Sequence, residues 1–150
     1  MIKSFVLAAG SLFLASVVCA QPNGDKPIKG VSMFVYHTDA KGIYQRETND
    51  NPYDARLWGV MRTDANGRYE YKTIRPASYP NTRFPAHVHH AIHAADYKVV
   101  FPEFNFDDDP FVNDTGKREG AARLKRPLLK MKQDQEGVWH GEFDIVLERI

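Results

Sequence analysis

Cysteine is nearly absent: Cys19 is the only one in 150 residues. One thiol cannot close an internal disulfide, and thiolate-rich zinc sites are excluded with it. Long hydrophobic runs are also missing. The longest, Phe5 to Val18, falls short of the roughly 18 or more residues that a membrane-spanning helix requires. No segment repeats apolar residues at helical spacing, and there are no internal repeats or low-complexity tracts. Charge of either sign is not in excess, since Lys plus Arg number 20 against 19 Asp plus Glu. A nucleic-acid or anionic-membrane partner therefore has no electrostatic support.

The N-terminus carries a recognisable pattern. Lys3 gives a positive start, Phe5 to Val18 an uncharged apolar stretch, and Val18-Cys19-Ala20 a small-residue end before polar Gln21. This is the layout of a secretory leader. The expectation is a leader over 1–20, removed after Ala20, followed by one compact domain over 21–150, located in the periplasm or outside the cell and free of the membrane after cleavage. Lipid attachment at Cys19 is disfavoured by Val18, which is bulkier than the residue usual before a lipidated cysteine. The mature chain would have no thiol and, without Lys3, 19 Lys plus Arg against 19 Asp plus Glu. Its length suits a single core.

Alternation with period two, rich in β-branched and aromatic residues, predicts strands over Val31–Tyr36, Leu57–Met61, Tyr69–Ile74, His87–His93, Tyr97–Phe101, Leu124–Met131 and Val138–Leu147. Asn66-Gly67 between two of these runs predicts a hairpin. Nine prolines punctuate the chain. The pattern implies an all-β protein, an antiparallel β-sandwich with long connecting loops at about 45–56 and 106–122. The acidic residues of those loops read as solvated turns, because neither loop has a complete calcium-ligand pattern.

Four of the six histidines fall in Ala86-His87-Val88-His89-His90-Ala91-Ile92-His93. On a strand, His87 and His89 project from one face and His90 from the other, so the first two can reach one metal ion. A bare His-x-His is more often just a polar strand face. His93 shares the parity of the pair and is a reserve ligand. Tyr79 lies eight positions before His87, and Tyr44 closes an earlier turn. Phenolate oxygen is a hard donor suited to ferric iron, and tyrosine ionises near pH 10 unless a highly charged cation lies beside it. Taken singly, each tyrosine is an ordinary amphipathic core or rim residue.

Four segments in order resemble the intradiol ring-cleavage dioxygenases: Val31–Tyr44 (VSMFVYHTDAKGIY), Thr63–Pro80 (TDANGRYEYKTIRPASYP), Pro85–His89 (PAHVH) and Phe143–Leu147 (FDIVL). The resemblance implies a mononuclear, non-haem Fe(III) held by Tyr44, Tyr79, His87 and His89, with Tyr44 and His87 equatorial. It implies a catechol-type aromatic diol and dioxygen as substrates and a muconate-type dicarboxylate as product. By the same resemblance Tyr79 would be the axial tyrosine, the catalytic residue that leaves the metal and takes a substrate proton. Two positions depart from the family pattern. Phe84 stands where the family has a catalytic Arg, with Arg83 one place earlier as the candidate replacement. Glu103 stands where the family has Gln, at a position expected to face substrate. Asn81 also replaces an aromatic residue. Two alternatives remain open at this level: an exported sandwich that binds ligand without turnover, and a zinc or copper site built from His87, His89 and His93. At this length the expectation is that the helical dimerisation segment preceding the core in many catechol dioxygenases is missing, and with it a shared helical dimer interface.

Overall fold

The computed structural model describes residues 11–20, 26–44, 55–112 and 127–150, with the backbone path alone for 11–20. Eleven strands appear among them: β1 (Ser11–Ala20), β2 (Lys26–Pro27), β3 (Ser32–His37), β4 (Leu57–Arg62), β5 (Arg68–Ile74), β6 (His87–His93), β7 (Glu103–Phe106), β8 (Leu128–Leu129), β9 (Lys132–Gln133), β10 (Trp139–Glu142) and β11 (Ile145–Leu147). One sheet runs β4-β3-β6-β7-β8; the other is built around β1, which pairs with β2, β5, β10 and β11. The described residues contain no helix. The two sheets form the expected sandwich. Its pairing is antiparallel except where β1 runs parallel to β10 and β11 and where β7 runs parallel to β8.

Alternation decides what lies between the sheets. In β3, Met33, Val35 and His37 point inward, and in β6 Val88, His90 and Ile92 do the same. They meet Tyr69, Ile145 and Leu147 from the opposite sheet in one cluster, and Phe104, Phe106 and Leu129 in another. Met61, Tyr71 and Phe143 pack against both clusters. Burying one such apolar side chain contributes roughly 1.5–3 kcal/mol, so this double cluster fixes which face of β6 is left outside. The outer face carries His87 and His89.

Three Asp-x-x-Gly turns punctuate the sandwich, at Asp39–Gly42, Asp64–Gly67 and Asp134–Gly137. In each, the aspartate carboxylate accepts backbone N–H groups two and four residues on, and the glycine takes a positive φ. The Asp64–Gly67 turn forms where Asn-Gly predicts one, but it does not close a hairpin. β4 pairs with β3 and β5 pairs with β1, so the chain crosses here from one sheet to the other. The crossing lets Met61 and Tyr71 face the same core rather than lie side by side in one sheet.

Other expectations shift in detail. Over Tyr97–Phe101 only isolated bridges form, Ile92 with Val100 and Tyr97 with Arg149. Pro102, which has no N–H to donate, bounds the segment on one side, and Asp96 in a left-handed conformation bounds it on the other. Within Leu124–Met131 the described pairing is confined to Leu128–Leu129, and 124–126 lie outside the described residues. Val138–Leu147 is broken at Phe143-Asp144 into β10 and β11, which pair with different ends of β1. Most of the two expected long loops, 45–54 of the first and 113–122 of the second, lies outside the described residues.

Candidate metal centre

β6 sits between β3 and β7, in register with both: Tyr36 lies opposite His89, and His89 opposite Glu103. Its outer face offers His87 and His89 side by side. His90 points the other way, buried in the core with Nε2 3.2 Å from the Tyr71 hydroxyl. Burial holds the His90 imidazole down at about 3, so it stays neutral.

The two tyrosines arrive on loops that are fastened together. Tyr44 follows the Asp39–Gly42 turn, whose carboxylate accepts Lys41 N–H at 2.8 Å and Ile43 N–H at 3.1 Å and pairs with Arg56 at 3.0 Å. The segment bearing Tyr79 is tied to the same turn, Ala77 N–H donating to the Asp39 carbonyl at 3.0 Å and Thr38 Oγ1 to the Ala77 carbonyl at 2.8 Å. Gly42 lies directly against the Ser78 backbone. Asn81, with φ of 59°, turns the chain just after Tyr79-Pro80. Asn is one of the few non-glycine residues at ease there, a local reason for its presence.

The result is a closed ring of four donor atoms. Tyr44 Oη lies 2.8 Å from Tyr79 Oη and 2.8 Å from His89 Nε2. Tyr79 Oη lies 3.0 Å from His87 Nε2, and the two Nε2 atoms lie 3.0 Å apart. A point at the middle of such a ring is about 2 Å from every corner, the length of a metal–imidazole bond.

The tautomers make the ring more telling. His87 Nδ1 lies 2.9 Å from the Pro85 carbonyl, an acceptor only, so Nδ1 is the protonated nitrogen. His89 Nδ1 donates in the same way to Glu103 Oε1 at 2.8 Å. Both Nε2 lone pairs therefore face inward at each other, an arrangement that a cation between them satisfies. Burial, followed by the hydrogen bond and charge repulsion from Tyr79, pushes the Tyr44 phenol well above its ordinary range. Ionising it at neutral pH requires a strongly charged cation at the ring's centre. Two phenols and two imidazoles fit ferric iron by this chemistry. Among the described residues no group of three His, Cys, Asp or Glu side chains is placed to hold a metal ion without the tyrosines. His93 is exposed and pairs with Ser32, two rows along the strand from Tyr36 and His89, so it does not join His87 and His89.

The walls are aromatic. Tyr36 stacks on His89 with ring centres 4.5 Å apart and planes 10° apart. Phe84 stacks on Tyr79 at 5.7 Å and meets His87 edge-on at 5.1 Å. Arg83 is exposed, and its guanidinium lies 5.9 Å from the centre of the Phe111 ring rather than against the donor ring. Glu103 holds His89, one of the four ring donors, rather than standing free to meet a substrate. Sequence reasoning missed Tyr36 and the wall-forming role of Phe84; the parity of Tyr36 could be read, but not the strand register that sets it on His89.

Comparison with known proteins points to one family. The family model described as Dioxygenase matches residues 9–149. The beta chain of protocatechuate 3,4-dioxygenase from Burkholderia cepacia is 31% identical over 140 residues, covering 83% of this chain and 59% of its own length. Catechol 1,2-dioxygenase 1 from Acinetobacter lwoffii is 28% identical over 141 residues, covering 83% of this chain and 45% of its own. The chain thus spans about half the length of these relatives. The crystal structure of 3-chlorocatechol 1,2-dioxygenase from Rhodococcus opacus 1CP superposes with a TM-score of 0.76 at 23% identity, over 95% of this chain and 61% of that one, which shows the shared fold. The order of the motifs, the sandwich and the family match together place the chain in the intradiol ring-cleavage dioxygenase family.

Proposed function

We propose that the chain is a non-haem iron(III) dioxygenase that opens catechol-type rings between the two hydroxylated carbons, giving muconate-type dicarboxylates. The observation that carries this reading is the ring of two phenol oxygens and two inward-facing imidazole lone pairs, closed at 2.8–3.0 Å. Tyr44, Tyr79, His87 and His89 would hold the iron. When bound, that ion supplies Lewis acidity and a template, drawing electron density from the diol ring so that dioxygen can attack it.

The rest falls to the protein. Tyr79, at the ring corner beside His87, accepts the proton of a substrate hydroxyl once ionised. Pro85 and Glu103 hold the two imidazoles in the tautomer that presents Nε2. Tyr36 and Phe84 provide flat apolar surfaces that orient an aromatic ring and exclude water. Both oxygen atoms end in the product, so the overall reaction needs no external reductant. With Phe84 in place of a cation and a carboxylate on His89, neutral catechols are preferred over acidic ones. The leader pattern supports a place in the periplasm or outside the cell as part of this proposal.

The test is reconstitution with ferric iron. A broad visible band from iron-bound phenolate, oxygen uptake with catechol and a new ultraviolet absorbance from the diene product support the proposal. A visible band with no oxygen uptake across neutral and acidic catechols favours the second reading, a ligand-binding protein on the same scaffold. Phe84 on Tyr79 is the feature that favours that reading.

A further inference from the structure

The outer face of the β4-β3-β6-β7 sheet continues past the donor ring as an uncovered aromatic surface. Along β3 the outward residues after Tyr36 are Phe34 and Ser32; along β4 they are Trp58 and Val60, paired with Tyr36 and Phe34. Phe34 lies 5.4 Å from Tyr36 and 5.9 Å from Trp58 between ring centres. On the other side of β6, pairing of Ile92 with Val100 and of His89 with Glu103 belongs to one unbroken register, and the His90 N–H to Pro102 carbonyl bond confirms it. Phe101 therefore stands opposite Ala91 with the outward parity of Glu103. It is 72% exposed, and Trp58 and Val60 are each 62% exposed.

These residues make a slot. Ala91 is its floor, with Phe34 on the neighbouring strand to one side and Phe101 on the other. Phe34 and Phe101 are two strand spacings apart, about 9–10 Å between backbones, enough for a flat ring between their side chains. Ala91 is two residues from His89, about 7 Å along the strand. Tyr36, stacked on His89, joins the slot to the donor ring without a break. Among the described residues the charged group beside this join is Glu103, which shares the outward face with Phe101 and whose carboxylate is held by His89 Nδ1 at 2.8 Å; Arg62 and His93 lie one row beyond the slot.

We infer that this slot is a second aromatic subsite, which seats the distal ring of a catechol joined through a short linker to another aromatic ring. The occupant follows from what the face presents: aromatic edges and faces, no hydrogen-bonding centre at the floor, and a reach to the donor ring of one short link. Single-ring catechols would leave it empty. The inference rests on the proposed ring cleavage for its consequence in turnover, but binding at the slot needs no iron.

The test therefore has two arms. In the first, iron-free protein is titrated with bibenzyl, two phenyl rings on a two-carbon link with no hydroxyl, following tryptophan emission. Saturable quenching that disappears in Trp58→Phe, leaving Trp139 as the only emitter, supports the subsite. Quenching that persists in Trp58→Phe, or none at all in wild type, overturns it. In the second arm, kcat/KM for a dihydroxystilbene is divided by kcat/KM for catechol. Phe101→Ala should lower that ratio about fivefold, the scale of one lost aromatic contact, and Ala91→Leu, which fills the floor, by about tenfold or more. An unchanged ratio overturns the subsite even if catechol is cleaved. If neither compound is cleaved while bibenzyl still quenches Trp58, the subsite stands and the ring-cleavage proposal fails. If Phe101→Ala instead changes the sedimentation coefficient and leaves the ratio alone, the face joins two copies of the chain and the subsite is overturned.

Discussion

Gly42 is the point at which the loops of the two tyrosines touch, and replacing it with alanine tests whether that contact builds the site. Its φ is +78°, where an L side chain costs roughly 1–2 kcal/mol. A Cβ there would lie 2.8 Å from the Ser78 carbonyl carbon and closer still to its oxygen, and 3.2 Å from Pro80 Cδ. These atoms are backbone and ring, with no flexible end to move, so the loop bearing Tyr79 must shift; overpacking of this kind costs about 1–3 kcal/mol more. Gly30 is the internal control. Its φ is +77°, yet its Cβ would meet nothing within 4 Å, so Gly30→Ala carries the conformational cost alone. Gly42→Ala should lose about 2–5 kcal/mol and Gly30→Ala about 1–2 kcal/mol in urea denaturation, compared by midpoint at constant m. The iron-dependent visible band should weaken in Gly42→Ala and persist in Gly30→Ala. Equal midpoints with equal bands would refute the reasoning.

Tyr79→Phe and Tyr44→Phe should each bind iron less tightly and lose part of the visible band, with Tyr79→Phe showing the larger loss of turnover relative to iron content; His87→Ala or His89→Ala should abolish iron retention, as metal analysis after gel filtration would show. Phe104 is 1% exposed and packs on Phe106, Phe143 and His90, so Phe104→Ala should cost about 3–5 kcal/mol by denaturant titration. His37 is held below the usual histidine range, first by burial. Its unfolded form takes up a proton near pH 6.5 and its folded form only at lower pH, so this contribution is present above pH 6.5 and is lost as pH falls through the window between the two. His37→Gln should flatten the fall of the urea midpoint between about pH 7 and 5; a slope equal to wild type counts against it. N-terminal sequencing of exported protein should find Gln21 first.

Much of the site could be read from the sequence because its signals are local. His87 and His89 need only the period of a strand to share a face, and His90 only the same rule to turn inward. The Asp-x-x-Gly pattern states its own geometry, since a carboxylate two and four residues before two N–H groups, followed by a glycine free to adopt positive φ, defines the turn. What stayed hidden depends on register between distant segments. Tyr36 reaches His89 only because β3 and β6 pair with Tyr36 opposite that residue, and nothing within Ser32–His37 specifies this. The destination of Glu103 is hidden for the same reason. Asn66-Gly67 shows the opposite case: the turn formed, but whether its flanking strands pair or part is decided by the core, which draws Met61 and Tyr71 to face each other.

The N-terminal segment shows how one composition can satisfy two physical demands. Ser11–Ala20 is uncharged and rich in Leu, Val and Ala, as an exported leader must be to enter an apolar channel. A strand buried in the middle of a sheet asks for the same residues. In the fold the backbone of this segment holds the middle position of a sheet: it pairs with β5 from Ser11–Ile74 to Val17–Arg68 on one side, and with β10 and β11 on the other. Cleavage after Ala20 would remove all of these pairings and leave β5, β10 and β11 with open edges, a state that sheets avoid by pairing with another strand or covering the edge. The donor ring lies on the other sheet, on β6 and on loops tied to β3, and the hydrogen bonds described for it run among Tyr44, Tyr79, Pro85, His87, His89 and Glu103. The fate of the first twenty residues therefore acts on the stability of the sandwich and on how its second sheet is completed, while the arrangement of Tyr44, Tyr79, His87 and His89 is set locally by β3, β6 and the Asp39 turn.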